Sequence, residues 1–355
     1  MLVPDSLSWS AARTTPGEIA AALRRLLVAC NAGAGACAPA RVLNLVCVID
    51  EEMSGAMTER LLQAGRFHAS RTILCVVDPG RRSIGAVATL GAALHRSRGD
   101  FALLRETVTL ELGERHVAHL DTIVDALVVS DLPTVVWCAH GHADAVRVLL
   151  PLAQVVLVDS SDRGDPAEAL AHVCELLRRA YVVDLAWLRS TPWRERVAAA
   201  FDRPGRRAEL GTIRAVTIRH HPGSAVAGLL LLGWLASRLG WQVDALEGAD
   251  HGRAGVARGS GGAIGLALVP DAGQGVRGLA GLSLETGTGR RLALDRGAGG
   301  LQVHERGPDG RERRWTQIGA SRGEPGILGE GIRQALLRDA TFGPAADAAR
   351  LLSAS

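Results

Sequence analysis

The chain predicts an α/β protein, with a mixed, largely doubly wound sheet in its N-terminal part and an α+β C-terminal domain. Three observations predict it. Apolar, β-branched runs at Val42 to Ile49 and Thr72 to Val77 flank a helix-like stretch from about Ser54 to Arg66, which is a βαβ signal for parallel sheet. From Glu114 onward helices and strands alternate through about Arg179. Beyond Ile213 the alternation stops, and one long apolar helix is followed by short strands punctuated by glycine.

In order, Thr15-Pro16-Gly17-Glu18 is a capping box with Pro at the first helical position, and Ile19, Leu23, Leu26 and Leu27 recur at helical spacing to about Cys30. Asn31 to Pro39 offers too little side chain to pack and reads as a loop. Gly85 to Leu94 and Glu106 to Leu112 are close enough to pair antiparallel, which makes the sheet mixed. A helix from Glu114 to about Val129 leads into strand Thr134 to Cys138, helix Asp144 to Leu150, strand Gln154 to Asp159 and helix Pro166 to Arg179. After strand Ile213 to His220 comes the long helix from about Ser224 to Leu239, closed by Gly240 in the position of a left-handed cap. The last helix is expected near Ile327 to Arg338. Arg203-Pro204-Gly205-Arg206-Arg207 interrupts the pattern, so the domains read as an N-terminal helix and linker at 1–40, an α/β domain at 41–205 and an α+β domain at 206–355.

Composition narrows the chemistry. With 47% hydrophobic and 22% charged residues the chain is globular in type, and its formal charge of +3 gives no case for a nucleic-acid or membrane-surface partner. All 40 basic residues are arginine, so neither a Schiff-base lysine nor the lysine of a Walker A loop exists in this chain. Acidic and polar residues precede any apolar run at the N-terminus, and the run Ala225 to Ala236 is short for a bilayer span, so a cytoplasmic location is expected. The six cysteines are irregularly spaced and do not suggest a disulfide framework, although Cys30 and Cys37 border a loop and are the pair best able to meet.

Chemical motifs are few. Cys138, His140 and His142 are zinc ligands by type, but they lack a fourth partner and read as a solvated loop. Asp159 and Asp162 lie at the carboxyl end of a parallel strand, where open α/β sheets place ligands. The structural alternative is that Asp162 or Asp165 caps the helix begun by Pro166. His116 and His119 read as a solvated helix face, and the glycine-rich run from Gly252 to Gly265 as a flexible loop or turn rather than a dinucleotide fingerprint. No cofactor is expected.

The most informative stretch is Asp184 to Asp202, DLAWLRSTPWRERVAAAFD, which reads as a helix-turn-helix surface. Thr191 is placed to cap and Pro192 to open a helix, while Trp187, Arg189, Trp193 and Arg194 combine rigid rings with planar cations. That chemistry suits exposed partner-binding anchors; the alternative is that both indoles are core. Upstream, Asp131-Leu132-Pro133 opens a strand carrying Trp137, and Val158-Asp159-Ser160 leads to Asp162 and Asp165-Pro166. Downstream lies Gly233-Trp234 with Gly240-Trp241. In this order and spacing the four segments resemble the OpcA family of glucose-6-phosphate dehydrogenase assembly proteins. The chain departs from the family pattern at Cys138 to His142, where members often carry a second Trp and a Pro-Gly turn, and residues 1–39 and 248–310 match only weakly.

The resemblance implies a non-catalytic subunit that binds glucose-6-phosphate dehydrogenase and promotes its active oligomer in the oxidative pentose phosphate pathway. It makes Trp187, Arg189, Thr191, Pro192, Trp193, Arg194, Asp159 and Asp162 the candidate partner-binding residues, with Asp131, Pro133, Trp137, Gly233, Trp234, Gly240 and Trp241 as structural motif. The alternative is a stand-alone doubly wound enzyme or sensor of a small molecule that uses the strand end at Asp159 to Asp162.

Overall fold

The computed structural model describes residues 6–32, 37–39, 41–64, 69–96, 102–139, 142–318 and 323–354. Contacts divide the chain into two units. The first holds residues 1–158, 179–183 and 328–337, and the second holds 159–178, 184–327 and 338–355. The division therefore falls earlier than the boundary expected at 205/206, and the chain crosses it more than once.

The first unit begins with β1 (Ser6–Ala11) and α1 (Pro16–Ala32). The capping box forms as expected: Thr15 N donates to Glu18 Oε2 at 2.9 Å and Glu18 N donates to Thr15 Oγ1 at 3.4 Å. The Thr15 backbone N–H, with the hydroxyls of Thr14 and Thr15, holds the Glu18 carboxyl below its ordinary pKa. There follow β2 (Cys37–Pro39), β3 (Leu43–Asp50), α2 (Ser54–Ala64), β4 (Ser70–Val77), β5 (Gly85–Arg96), β6 (Ala102–Leu112), α3 (Glu114–Val117), α4 (Leu120–Asp125), β7 (Thr134–Cys138), α5 (Ala143–Leu149) and β8 (Val155–Val158). After α6 (Pro166–Leu177) of the second unit comes β9 (Tyr181–Asp184).

The strands run in the order β1-β5-β6-β4-β3-β7-β8-β9, with β2 also beside β6. Strands β6, β4, β3, β7 and β8 are mutually parallel, and β1 and β5 add antiparallel pairs at one side. The sheet is thus mixed and doubly wound, because the chain leaves β3 for β4 on one side and returns to β7 on the other. Residues Leu43 to Ile49 of β3 are all buried, as a central parallel strand covered on both faces requires. Val46, Val48, Ile73, Cys75, Val108, Leu110 and Val136 meet Ile19 and Leu23 of α1 and Leu120, Val124 and Leu149 of α4 and α5 in one core.

Two buried polar groups position this sheet. Glu106 of β6, fully buried, accepts paired bonds from Arg41 (2.7 and 3.0 Å) and from Arg71 (2.7 and 2.9 Å). Asn44 of β3 donates to the Val129 and Leu132 carbonyls and accepts from Val129 N at 2.9 Å. Asn44 therefore pins the turn that carries Asp131-Leu132-Pro133 into β7.

Several expectations are corrected here. The helix expected from Glu114 to Val129 breaks into α3 and α4 at His119, whose backbone is non-helical with φ of −124° and ψ of 18°. His116 Nδ1 accepts from Gly113 N at 2.9 Å, so His116 caps the start of α3 and is not part of a solvated face. Strands β1 and β9 escape a search for apolar runs: β1 reads SLSWSA, and β9 is four residues long. Cys47 and Cys75 are buried, Cys75 as a free thiol, whereas Cys30 is disulfide-bonded.

In the second unit, α6 is followed by α7 (Leu185–Arg189), α8 (Thr191–Phe201), β10 (Ile213–His220), α9 (Ala225–Leu239), β11 (Glu247–Ala249), β12 (Gly252–Gly259), β13 (Gly262–Pro270), β14 (Leu279–Thr286), β15 (Arg291–Gly297), β16 (Gly300–Arg306), β17 (Glu312–Ile318), the start of α10 (Gly323–Gln334), whose residues from Leu328 on belong to the first unit, and α11 (Phe342–Ser353). The sheet order is β11-β12-β13-β10-β14-β15-β16-β17, with β10 parallel to β13 and antiparallel to β14. The glycine-rich run 252–265, expected as loop or turn, is the β12/β13 hairpin, with Gly259 opposite Gly262. Its alternation resides in Ile264, Leu266 and Leu268, which face inward at every second position.

Helix α9 lies on β10 and β13, and α11 lies along α9. Pro222–Leu239 is apolar and long enough to cross a bilayer by composition, and most of it is buried within the protein. Gly233 makes the helix crossing possible, since a Cβ there would sit 2.2 Å from the Ala345 carbonyl oxygen. Helix α6 packs on α11 and α9, which explains why residues 159–178 leave the N-terminal unit to which the sequence assigns them.

Candidate functional site

The Asp184 to Asp202 stretch forms two helices that meet at Ser190; Leu185 to Leu188 of α7 are buried, whereas α8 buries Trp193, Val197 and Phe201. Asp184 ends β9 and caps α7, accepting from Ala186 N at 2.9 Å. It also accepts from Ser160 N at 3.1 Å and from Ser160 Oγ at 2.6 Å. Burial, reinforced by the neighbouring Asp159 carboxylate, raises the Asp184 pKa to about 6. Asp159 in turn is held by Arg189, with Nη1 to Oδ1 at 2.9 Å and Nη2 to Oδ2 at 2.7 Å, a fork-to-fork pair. Asp159 also caps the short 3-10 turn Ser160–Asp162 through Ser161 N.

A second knot forms around Trp187. Its Nε1 donates to Asp339 Oδ2 at 2.9 Å, and its ring lies 5.4 Å from that of Phe342 at a tilt of 44°. The guanidinium carbon of Arg194 sits 3.6 Å from the Trp187 ring centroid, a cation–π contact. Arg194 Nε donates to Ser190 Oγ at 3.1 Å and Nη2 to Thr191 Oγ1 at 2.9 Å. Burial lowers the Arg194 pKa to about 10, still far above neutrality. Asp339 completes the knot by accepting from Thr341 N and Oγ1, and these bonds with that of Trp187 hold its pKa below the ordinary value in spite of burial.

The structure corrects the expectation of exposed anchors. Trp187 and Trp193 are each 2% exposed, and both belong to the core of the second unit. Thr191 does not act as a cap, because its hydroxyl accepts from Arg194, and the preceding Ser190 makes no capping bond to α8 either. Pro192 does occupy the first turn of α8. The structure brings Trp187, Thr191 and Arg194 into one cluster and Asp159 and Arg189 into another; Trp193 points into the core apart from both. Asp165, not Asp162, caps α6, accepting from Ala167 N and Glu168 N.

Trp137 is buried in β7, Gly233 admits α11, and Gly240 ends α9 with φ of +65°, the left-handed cap the sequence predicts. Trp241 is buried and Trp234 half-buried. Of the three residues that are zinc ligands by type, His142 has its Nε2 3.1 Å from Asp50 Oδ1. His140 is outside the described residues, as is the side chain of Cys138. Among the described residues no group of three metal-ligating side chains converges.

Sequence reasoning missed Asp339, Ser160 and the full role of Asp184. Asp184 follows a strand and precedes an apolar helix, which is a capping signal in its own right. Asp339 leaves only the weak Asp-Ala-Thr turn signal, and its distance of 152 residues from Trp187 gives no local cue.

Comparison with known proteins fits these features to a family. Residues 62–175 match the glucose-6-phosphate dehydrogenase subunit N-terminal domain, and residues 180–345 match the corresponding C-terminal domain. OpcA of Synechocystis sp. is 28% identical over 172 residues, covering 47% of this chain and 36% of that protein. OpcA of Synechococcus elongatus is 31% identical over 173 residues, covering 48% of this chain and 39% of that protein. The matches thus span little more than a third of the relatives' own length. Apo scyllo-inositol dehydrogenase from Lactobacillus casei aligns over 89% of this chain and 96% of its own, at 12% identity and a TM-score of 0.45, too slight a likeness to bear on activity. With both domains matched in order along the chain, the protein belongs to the OpcA glucose-6-phosphate dehydrogenase subunit family.

Proposed function

We propose that the chain is a non-catalytic subunit that binds glucose-6-phosphate dehydrogenase in the cytoplasm and favours its active oligomer. The observation that carries this reading is the ordered match of two successive segments to the two domains of a dehydrogenase subunit. Binding raises activity only through a difference in affinity between the enzyme's more and less active states. A tenfold shift needs a difference of about 1.4 kcal/mol, which a few well-placed surface side chains supply.

The alternative, an enzyme or sensor built on the strand end at Asp159, has less to support it. Asp159 is engaged by Arg189 and Asp184 by Ser160, so both carboxylates are satisfied from within the protein. On the proposed reading the Trp187 and Asp159 knots do not touch the partner; they fix the backbone whose outer face does. The test is to mix the purified chain with purified glucose-6-phosphate dehydrogenase and follow complex formation, oligomer mass and kinetics together. A stable complex with altered kinetics is expected. Absence of a complex at micromolar concentrations, or sugar-phosphate turnover by this chain alone, would sink the proposal.

A further inference from the structure

In the second unit, α8 and the sheet edge line a cavity of about 270 Å³ that none of the residues assigned above to partner binding or to the structural motif lines. Its walls carry Arg196, Arg203, Arg206 and Arg313 against a single carboxylate, Glu305. That carboxylate is already shared by Arg206 at 2.7 Å and Arg290 at 2.6 Å. Arg196 donates to the neutral Gln317 at 3.0 Å, and neither Arg203 nor Arg313 has a carboxylate partner among the described residues. The nearby acids are turned elsewhere: Asp202 pairs with Arg207, and Glu312 pairs with His304 and Arg314.

Three guanidinium groups without counter-charge facing one small space repel one another, and an anion placed between them relieves that repulsion. Guanidinium forks match the oxygens of a phosphate, so a phosphate monoester is the anion this geometry suits. The remaining walls are apolar. Ala199, Ala200 and Val303 line the cavity, and Trp315 of the edge strand β17 presents an indole that is 42% exposed. A flat, partly exposed aromatic beside a cationic pocket is a stacking platform for a ring. The volume is close to the lower bound for small-molecule sites and leaves no room for a polymer.

We propose that this cavity binds a phosphate monoester carrying a planar ring, of the nucleoside monophosphate class, with the phosphate among Arg196, Arg203 and Arg313 and the ring on Trp315. The site is independent of dehydrogenase binding, and its test uses the full chain alone.

Calorimetric titration at low ionic strength, in a buffer free of phosphate, compares AMP, adenosine and inorganic phosphate. AMP is expected to bind at one saturable site and adenosine at least tenfold more weakly. The double variant Arg203→Gln, Arg313→Gln changes two exposed side chains, so it should melt as the parent protein does and lose at least tenfold in AMP affinity. Trp315→Leu should weaken AMP severalfold and leave inorganic phosphate unaffected. Failure of both AMP and inorganic phosphate to bind overturns the proposal, as does undiminished binding by the double variant. Equal affinity for AMP and inorganic phosphate overturns the ring contact. Saturable binding of a poly-glutamate peptide where neither phosphate probe binds overturns it in favour of an acidic protein partner.

Discussion

Trp193 and Asp184 show how residue chemistry and burial separate. Trp193 has the composition of an interface anchor, yet at 2% exposure it can contribute only to the core. Trp193→Ala should therefore destabilise the protein by about 3–5 kcal/mol through cavity formation. Urea denaturation measures that loss, and whatever protein remains folded should bind the dehydrogenase with unchanged affinity. A normal denaturation midpoint with lost binding would reverse the assignment. Asp184 makes a pH prediction. Burial raises its folded pKa from the ordinary 3.8 to about 6, so between those values the folded state holds more protons than the unfolded state. Stability must then fall as pH rises through that window. Over the whole window the loss is roughly 3 kcal/mol. Asp184→Asn keeps an acceptor for the Ser160 and Ala186 N–H groups and cannot ionise, so its stability curve should lack that decline between about pH 4 and pH 6.

At the scale of elements, caps and buried ion pairs decide which helices and strands are fixed. Asp165→Ala removes two real capping bonds from α6 and should cost about 1 kcal/mol. Thr191→Ala removes only an acceptor for Arg194, so it should cost less than the Asp165 change, a ranking that chemical denaturation of both variants checks. Glu106 is a different case, since its buried carboxylate pairs with both Arg41 and Arg71 in the body of a sheet. Glu106→Ala leaves two guanidinium groups without their counter-ion and should cost about 3–5 kcal/mol, far more than a surface pair. Most elements were legible because their periodicity is strong: α1, β3, β4, β10 and α9 lie within a few residues of their expected spans. Strand β9 and helix α11 were not. Four residues give no alternation to read, and α11 is rich in alanine where it approaches α9 at Gly233, so its buried face shows large apolar side chains only at its two ends, Phe342 and Leu352.

At the scale of the molecule, the interleaving of the units has a direct consequence. The second unit takes residues 159–178 from before β9 and 338–355 from the C-terminus, so a cut at 205 separates α6 and α7 from the α9 and α11 surfaces they pack on. A fragment of residues 1–205 should accordingly bind a hydrophobic dye and melt without a sharp transition, while the full chain melts cooperatively. A cooperative melt of the fragment would refute this division.

Local sequence determined what depends on neighbours along the chain. The capping box at Thr15, the left-handed cap at Gly240, the parallel strands and the ordered family motifs are all set by residues a few positions apart, and all are found where the sequence places them. Tertiary structure alone decided which face of each motif is buried. Trp187 meets Asp339 and Phe342 across more than 150 residues, and the cavity gathers arginines from α8 and β17 that are over 100 residues apart. The physical reason is that an indole or a guanidinium serves equally well in a core or on a surface. Which of the two it does depends on whether distant segments bring it a carboxylate acceptor, as Asp339 does for Trp187, or bring none among the described residues, as for Arg203 and Arg313.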